Sequence, residues 1–341
     1  MAVGIRNPDA NITRILRLSV TGECNLSCFY CKPTGKHSDL MASKLSIQPS
    51  DVTKLVKIVG ELGVRKVLIQ GGEPLLRKDA ANFVKSSYAH KGVEDVRLVT
   101  NGAFLKAFGD QLRKLGLKKV DINFDTLNFV KFQKITGNDS LYRVLDGVEK
   151  VERLHFSEIR INVFLLPGVN EDEIINFARL TKDRPLYIRF IEYGYGDKTA
   201  TNGSNPPSFS IQDAIRTIQN YQALFGTPHK APSDELEYRV PSFKFVDGKG
   251  KMSFLTKNDV LADQAIPRVV LNAQGMLINE KLPNKSFPVI EAIRKDAKDP
   301  ALHRAIEKVM LLGPSASLFA AKKTVKKTST AKRGRMAEAQ L

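Results

Sequence analysis

Six short apolar runs bounded by turn residues alternate with helix-patterned stretches between about residue 14 and residue 193, and this alternation restricts the fold more than any other feature of the chain. The runs are residues 15–20, 66–70, 95–100, 119–124, 158–165 and 186–193. Helical periodicity lies between them near residues 49–62, 79–91, 105–115, 141–154 and 171–181. Strand-helix units of this spacing predict an α/β fold with a parallel sheet and helices packed against it. Six strands are too few to close an eight-fold barrel, so the expectation is a partial, TIM-like (βα)6 barrel over residues 10–195. Beyond residue 195 the pattern changes. A Gly-, Asn- and Pro-rich loop, a helix near 211–221 and strand-like runs at 237–246, 251–255, 268–271 and 276–278 precede helices at 288–297 and 300–311. These predict a smaller C-terminal α+β domain over 196–313.

Charge narrows the function classes less than its size suggests. The net charge is +17 over 341 residues. From Pro314 onward, seven basic residues stand against Glu338 alone in a tail rich in Ala, Ser and Thr. Such a tail cannot bury enough apolar surface to offset its ordering entropy, so residues 314–341 are expected to be disordered. The remaining positive charge suits an anionic small molecule as well as a polynucleotide, and without Trp or basic-aromatic interleaving, specific nucleic-acid binding is not expected. No apolar run is long enough to span a bilayer, and the first residues lack a secretory pattern, so a cytoplasmic protein is expected.

The only three cysteines are Cys24, Cys28 and Cys31, on the loop after the first run. Spacings of four and three positions let three thiolates converge on one centre. An iron-sulfur cluster normally takes four cysteines, so a cluster held by three keeps one iron open for chemistry. The competing reading is a zinc site completed by His37. A disulfide fits poorly with an odd cysteine count. Gly71-Gly72-Glu73-Pro74 follows the second run, Thr100-Asn101-Gly102 ends the third and Asn123-Phe124-Asp125 ends the fourth. All four motifs therefore fall at the C-terminal edge of the expected sheet, where barrel and doubly wound folds place their active sites. Taken singly, the Gly-Gly-Glu-Pro stretch could be a tight turn.

Taken together, the CxxxCxxC loop and the GGE motif resemble the radical S-adenosylmethionine (SAM) superfamily. That resemblance implies a 4Fe-4S cluster on Cys24, Cys28 and Cys31 and SAM bound at its open iron. It assigns Gly71, Gly72 and Glu73 to the SAM amine, Tyr30 to the adenine and Asn123 to a polar contact with SAM. The cofactor would carry the hard chemistry, reductive cleavage of SAM to a 5′-deoxyadenosyl radical, with the protein supplying orientation. The reductant would be a protein such as flavodoxin or ferredoxin.

Further motifs, at residues 16–21 (LRLSVT), 71–77 (GGEPLLR), 100–102 (TNG), 162–173 (NVFLLPGVNEDE) and 188–193 (IRFIEY), resemble the GTP 3′,8-cyclase family of molybdenum cofactor biosynthesis. Arg17, Lys66, Arg160 and Arg189 match that family's basic positions, which implies GTP or another small anion as substrate; guanidinium groups suit phosphate. The chain departs from the family in having no cysteine after Cys31, where the family carries a second cluster; residues near Ala262, Ala265 and Asn279 or Glu280 stand in its place. Leu68, Val99 and Gly194 also replace family polar or methionine positions. These departures leave open a divergent paralogue, a peptide- or other small-molecule-modifying enzyme, and, outside catalysis, an iron-sulfur sensor.

Overall fold

All six expected runs form strands in the computed structural model, which describes residues 14–31, 47–193, 209–227, 240–264 and 268–311. They are β1 (Ile15–Ser19), β2 (Lys66–Gln70), β3 (Asp95–Thr100), β4 (Lys119–Asn123), β5 (Glu158–Leu165) and β6 (Leu186–Glu192). Between them run α1 (Pro49–Glu61), α2 (Ala80–Ser87), α3 (Leu105–Lys114), α4 (Phe129–Thr136), α5 (Leu141–Arg153) and α6 (Ile174–Asp183). The helix α4 has no counterpart in the periodicity reading. Asn128 caps its start by accepting the N–H groups of Val130 and Lys131, and Gly137, left-handed at φ 68°, ends it.

The later residues do not stack on the barrel as a separate layer. After α7 (Ile211–Tyr221), strands β7 (Leu224–Thr227), β8 (Ser242–Phe245) and β9 (Lys251–Leu255), α8 (Lys257–Gln264), β10 (Arg268–Leu271), β11 (Leu277–Asn279) and β12 (Ser286–Phe287) precede α9 (Val289–Lys295) and α10 (Pro300–Met310). Among the described residues, the twelve strands form one sheet, ordered β12-β11-β10-β1-β2-β3-β4-β5-β6-β9-β8-β7. β10 joins β1 and β9 joins β6, both in parallel, so the chain covers the two edges that six strands alone would leave exposed. β9 and β10 do not pair with each other, and the barrel stays open on that side.

Alternation along each strand sorts the side chains. Leu16, Leu18, Val67, Ile69 and Leu98 face the helices and are fully buried in the main core. The intervening positions, among them Arg17, Lys66, Arg97, Asp121, Arg160 and Arg189, line a lumen of about 230 Å³ on the concave face. A second apolar cluster of Ile15, Ile191, Val240 and Leu255, with Leu68 and Phe164 against it, also borders this lumen. The fold is therefore an α/β partial barrel whose interior sets basic side chains beside an apolar wall. Among the described residues no helix is long and apolar enough to cross a membrane. The proposed disordered tail, 314–341, lies outside the described residues.

Candidate functional site

The cysteine loop is built as an extension of the sheet. Val20 N donates to Gln70 O, and beyond the strands the pairing continues, with Gly72 N on Thr21 O at 2.8 Å and Glu73 N on Glu23 O at 2.7 Å. A Cβ on Gly71 would stand 2.3 Å from Thr21 O, and one on Gly72 2.1 Å from Glu23 O, so both positions require glycine for this close approach. On the other side, Ser27 N and Phe29 N donate to the carbonyls of Thr136 and Ile135, the last residues of α4. The unanticipated helix thus supports the cysteine loop.

Arg77, the last residue of GGEPLLR, closes the base of that loop. Its guanidinium donates to Val20 O at 3.0 Å and Ile47 O at 2.9 Å, while Asp79 takes two further N–H groups at 2.8 Å each. The two carbonyls flank the segment that carries all three cysteines. Changing Arg77→Leu removes the clasp and leaves Asp79 without its guanidinium, and is expected to cost about 2–3 kcal/mol, the usual range for bonds to a charged group. Urea unfolding measures the loss; an unchanged midpoint would show that the clasp contributes nothing.

Cys24 and Cys31 are exposed and Cys28 is partly buried, with Cys31 N turning back onto Cys28 O at 3.0 Å. Burial pushes all three thiols upward, Cys28 to about 12, and the carboxylates of Asp125 and Glu73 and the neighbouring thiols push in the same direction. Three cysteine side chains on one loop are the donor type an iron-sulfur cluster takes. Among the described residues no three His, Cys, Asp or Glu side chains are placed to hold one metal ion. His37, the fourth zinc ligand considered, lies outside the described residues.

Around this loop the rim motifs converge. Glu73 is fully buried; its Oε1 accepts from Leu75 N and the Thr100 hydroxyl, its Oε2 from Asn101 N at 2.7 Å, and burial raises its pKa. The carboxylate thereby ties the ends of β2 and β3 together beneath the cysteines. Tyr30 donates its hydroxyl to Asp125, and its ring packs on Phe164 and Tyr193 at 5.4 and 5.7 Å. Asp125 also accepts from Phe164 N, and burial lifts it to about 6. Asn123 lines the lumen and accepts from Asn162 Nδ2 at 2.8 Å.

The four basic residues anticipated for an anionic substrate all line one lumen, and the structure adds Arg97 and Arg268 to them. It also adds carboxylates. Arg17 pairs with Glu280 at 2.6 Å and Lys66 with Asp95 at 3.7 Å, while Arg160 meets Asp121 at 3.1 Å and Glu158 at 2.7 Å. Arg189 lies against the Tyr187 ring at 5.8 Å. Of the positions aligned with the missing cysteines, Asn279 is buried and holds Val309 O, and Glu280 is the partner of Arg17. Ala265 and Gly194 lie outside the described residues. Sequence reasoning did not single out Arg77, Arg97, Asn162 or Arg268; for the last three, the signal was a polar residue alternating with apolar ones inside a strand.

A family model described as the radical SAM superfamily matches residues 18–181. GTP 3′,8-cyclase of Alkaliphilus metalliredigens is 38% identical over 264 residues, covering 77% of this chain and 79% of that protein. GTP 3′,8-cyclase of Listeria welshimeri is 39% identical over 178 residues, 52% of this chain; the match spans only 53% of that relative's length. Human molybdenum cofactor biosynthesis protein 1 is 30% identical over 292 residues, 85% of this chain and 45% of that one. Among solved structures, Streptococcus suis SuiB bound to S-adenosylmethionine superimposes with a TM-score of 0.57 at 14% identity, over 87% of this chain and 68% of that chain. At that identity the likeness is one of fold.

Proposed function

The chain belongs to the radical SAM superfamily and, within it, to the GTP 3′,8-cyclase family, and from that premise we propose that it is a radical SAM enzyme acting on a small anionic substrate held in the basic lumen. The observation that carries this reading is the placement of three cysteines on a loop clamped at the C-terminal rim of a cation-lined barrel. Cys24, Cys28 and Cys31 would hold one 4Fe-4S cluster, which when bound supplies the electron for cleavage of SAM to a 5′-deoxyadenosyl radical. Gly71, Gly72 and Glu73 would present backbone to the SAM amine, the buried Glu73 carboxylate fixing that strand end against β3, with Tyr30 and Asn123 bordering the rest of the molecule. Tyr30 is held in place by Asp125, and Phe164 and Tyr193 shield it from water.

Below the rim, Arg17, Lys66, Arg160 and Arg189 would orient the anionic end of the substrate. Their charge is partly offset by Glu280, Asp95, Asp121 and Glu158, and Leu68 and Val99 present apolar surface on the same wall. The lumen is thus less cationic than its arginines alone suggest, which leaves room for GTP or for a less highly charged relative of it. The test is anaerobic reconstitution followed by measurement of 5′-deoxyadenosine from SAM and a reductant, with and without GTP. Release stimulated by GTP supports a cyclase-like enzyme. Release indifferent to GTP keeps the radical SAM assignment and rejects GTP as substrate; a bound cluster with no release under any reductant favours a sensor.

A further inference from the structure

Asn101 occupies the turn after β3, and neighbouring contacts fix the orientation of its amide. Its backbone N–H donates to Glu73 Oε2 at 2.7 Å. Its Oδ1 accepts the N–H of Ala103 at 3.0 Å, so the nitrogen end of the amide has to face the cysteine loop. There one N–H donates to Asn25 Oδ1 at 2.8 Å, and Nδ2 also lies 3.9 Å from Cys24 Sγ, a long contact to a large acceptor atom. The same sulfur accepts Leu26 N at 3.4 Å. Asn25 is held in turn by Asn138 Nδ2 on its carbonyl at 3.4 Å. A buried carboxylate, a turn and two loops therefore position a side-chain amide N–H beside one thiol, in addition to the backbone N–H of Leu26.

A donor aimed at a ligand sulfur stabilises negative charge there, and reduction of a cluster adds negative charge that its sulfurs share; hydrogen bonds to sulfur are among the levers that set cluster potentials. We propose that Asn101 raises the reduction potential of the cluster by donating its second amide N–H to the Cys24 thiolate. The inference rests on the reading of Cys24, Cys28 and Cys31 as cluster ligands. Asn101 acts through Cys24, not on substrate, and a role in tying the loop together would be served by its bond to Asn25 alone.

Three variants of the full chain, reconstituted anaerobically with iron and sulfide, separate the two roles. Iron and sulfide per chain report cluster binding, and a redox titration followed by electron paramagnetic resonance reports the potential. Asn101→Leu keeps the side-chain volume and removes the donor; it is expected to shift the midpoint to more negative values at unchanged iron content. Asn101→Asp cannot donate and adds a negative charge, so its midpoint should lie lower still. Asn25→Ala removes only the loop-tying bond and should leave the midpoint where it is. The proposal is overturned if both Asn101 variants titrate like the unmodified chain, or if Asn25→Ala moves the midpoint as far as Asn101→Leu does. Equal loss of iron in all three variants also overturns it, in favour of a purely structural role. An unmodified chain that assembles no cluster would overturn the underlying reading and this proposal with it, whereas a cluster with an unmoved potential overturns this proposal alone.

Discussion

Replacing Gly72 with alanine is expected to leave the barrel folded while abolishing cluster binding, with 5′-deoxyadenosine release falling to the level of a Cys28→Ala control. The reason is steric and local. A Cβ at this position would meet Glu23 O at 2.1 Å, Glu23 C at 2.5 Å and Gly22 O at 2.7 Å, all of them backbone atoms that cannot swing aside as a side-chain tip can. Relief requires the Thr21–Glu23 segment to withdraw, which breaks the bonds from Gly72 N to Thr21 O and from Glu73 N to Glu23 O. Cys24 is the next residue, so the first ligand moves with the segment. The β1–β2 ladder ends before this point and the main core is untouched, so the far-ultraviolet circular dichroism should not change. Full iron and sulfide content in the alanine variant would refute the close-approach argument.

At contacts of this kind, reading residues stops short of reading structure. Strand positions were legible because each lies in a short apolar run with turn residues at its ends, and all six core strands fall within about a residue of the expected bounds. Convergence of the rim motifs was legible for the same reason, since each follows a strand of one parallel sheet. The joining of β9 and β10 to the outer strands of that sheet was not legible, because pairing between residues 15 and 268 leaves no local trace. The support roles were hidden in the same way. The resemblance assigns Glu73 to the SAM amine, yet its carboxylate accepts from Leu75 N, the Thr100 hydroxyl and Asn101 N in a buried joint between two strands. The acids that accompany the lumen cations sit on neighbouring strands, so no spacing along the chain announces them.

Asp121 gives those acids a measurable weight, and Asp121→Asn is expected to lower stability by about 3–5 kcal/mol while tightening the binding of a polyanion. Arg97 and Arg160, each only 2% exposed, both donate to this carboxylate at 3.1 Å, one to each oxygen, and both also reach Glu158 Oε1 at 2.7 Å. With asparagine in place, the two buried guanidiniums lose the carboxylate that bridged them, keeping Glu158 and, for Arg97, Asp95 at 3.4 Å, and removing one partner from a buried charge network usually costs in that range. Urea unfolding of the chain without cofactor reads this loss. The double change Arg97→Met with Asp121→Asn should cost less than the sum of the two single changes, by about 0.5–3 kcal/mol of coupling, because it removes a cation together with the charge that offset it. For ligand binding the sign reverses. Asp121 lines the lumen, so taking away its negative charge makes the cavity more favourable to a triphosphate by about 1 kcal/mol, roughly fivefold in affinity. Equilibrium binding of GTP to the folded variant measures that gain. Weaker binding in a variant that is still folded would mean that Asp121 orients Arg160 for the substrate instead of competing with it.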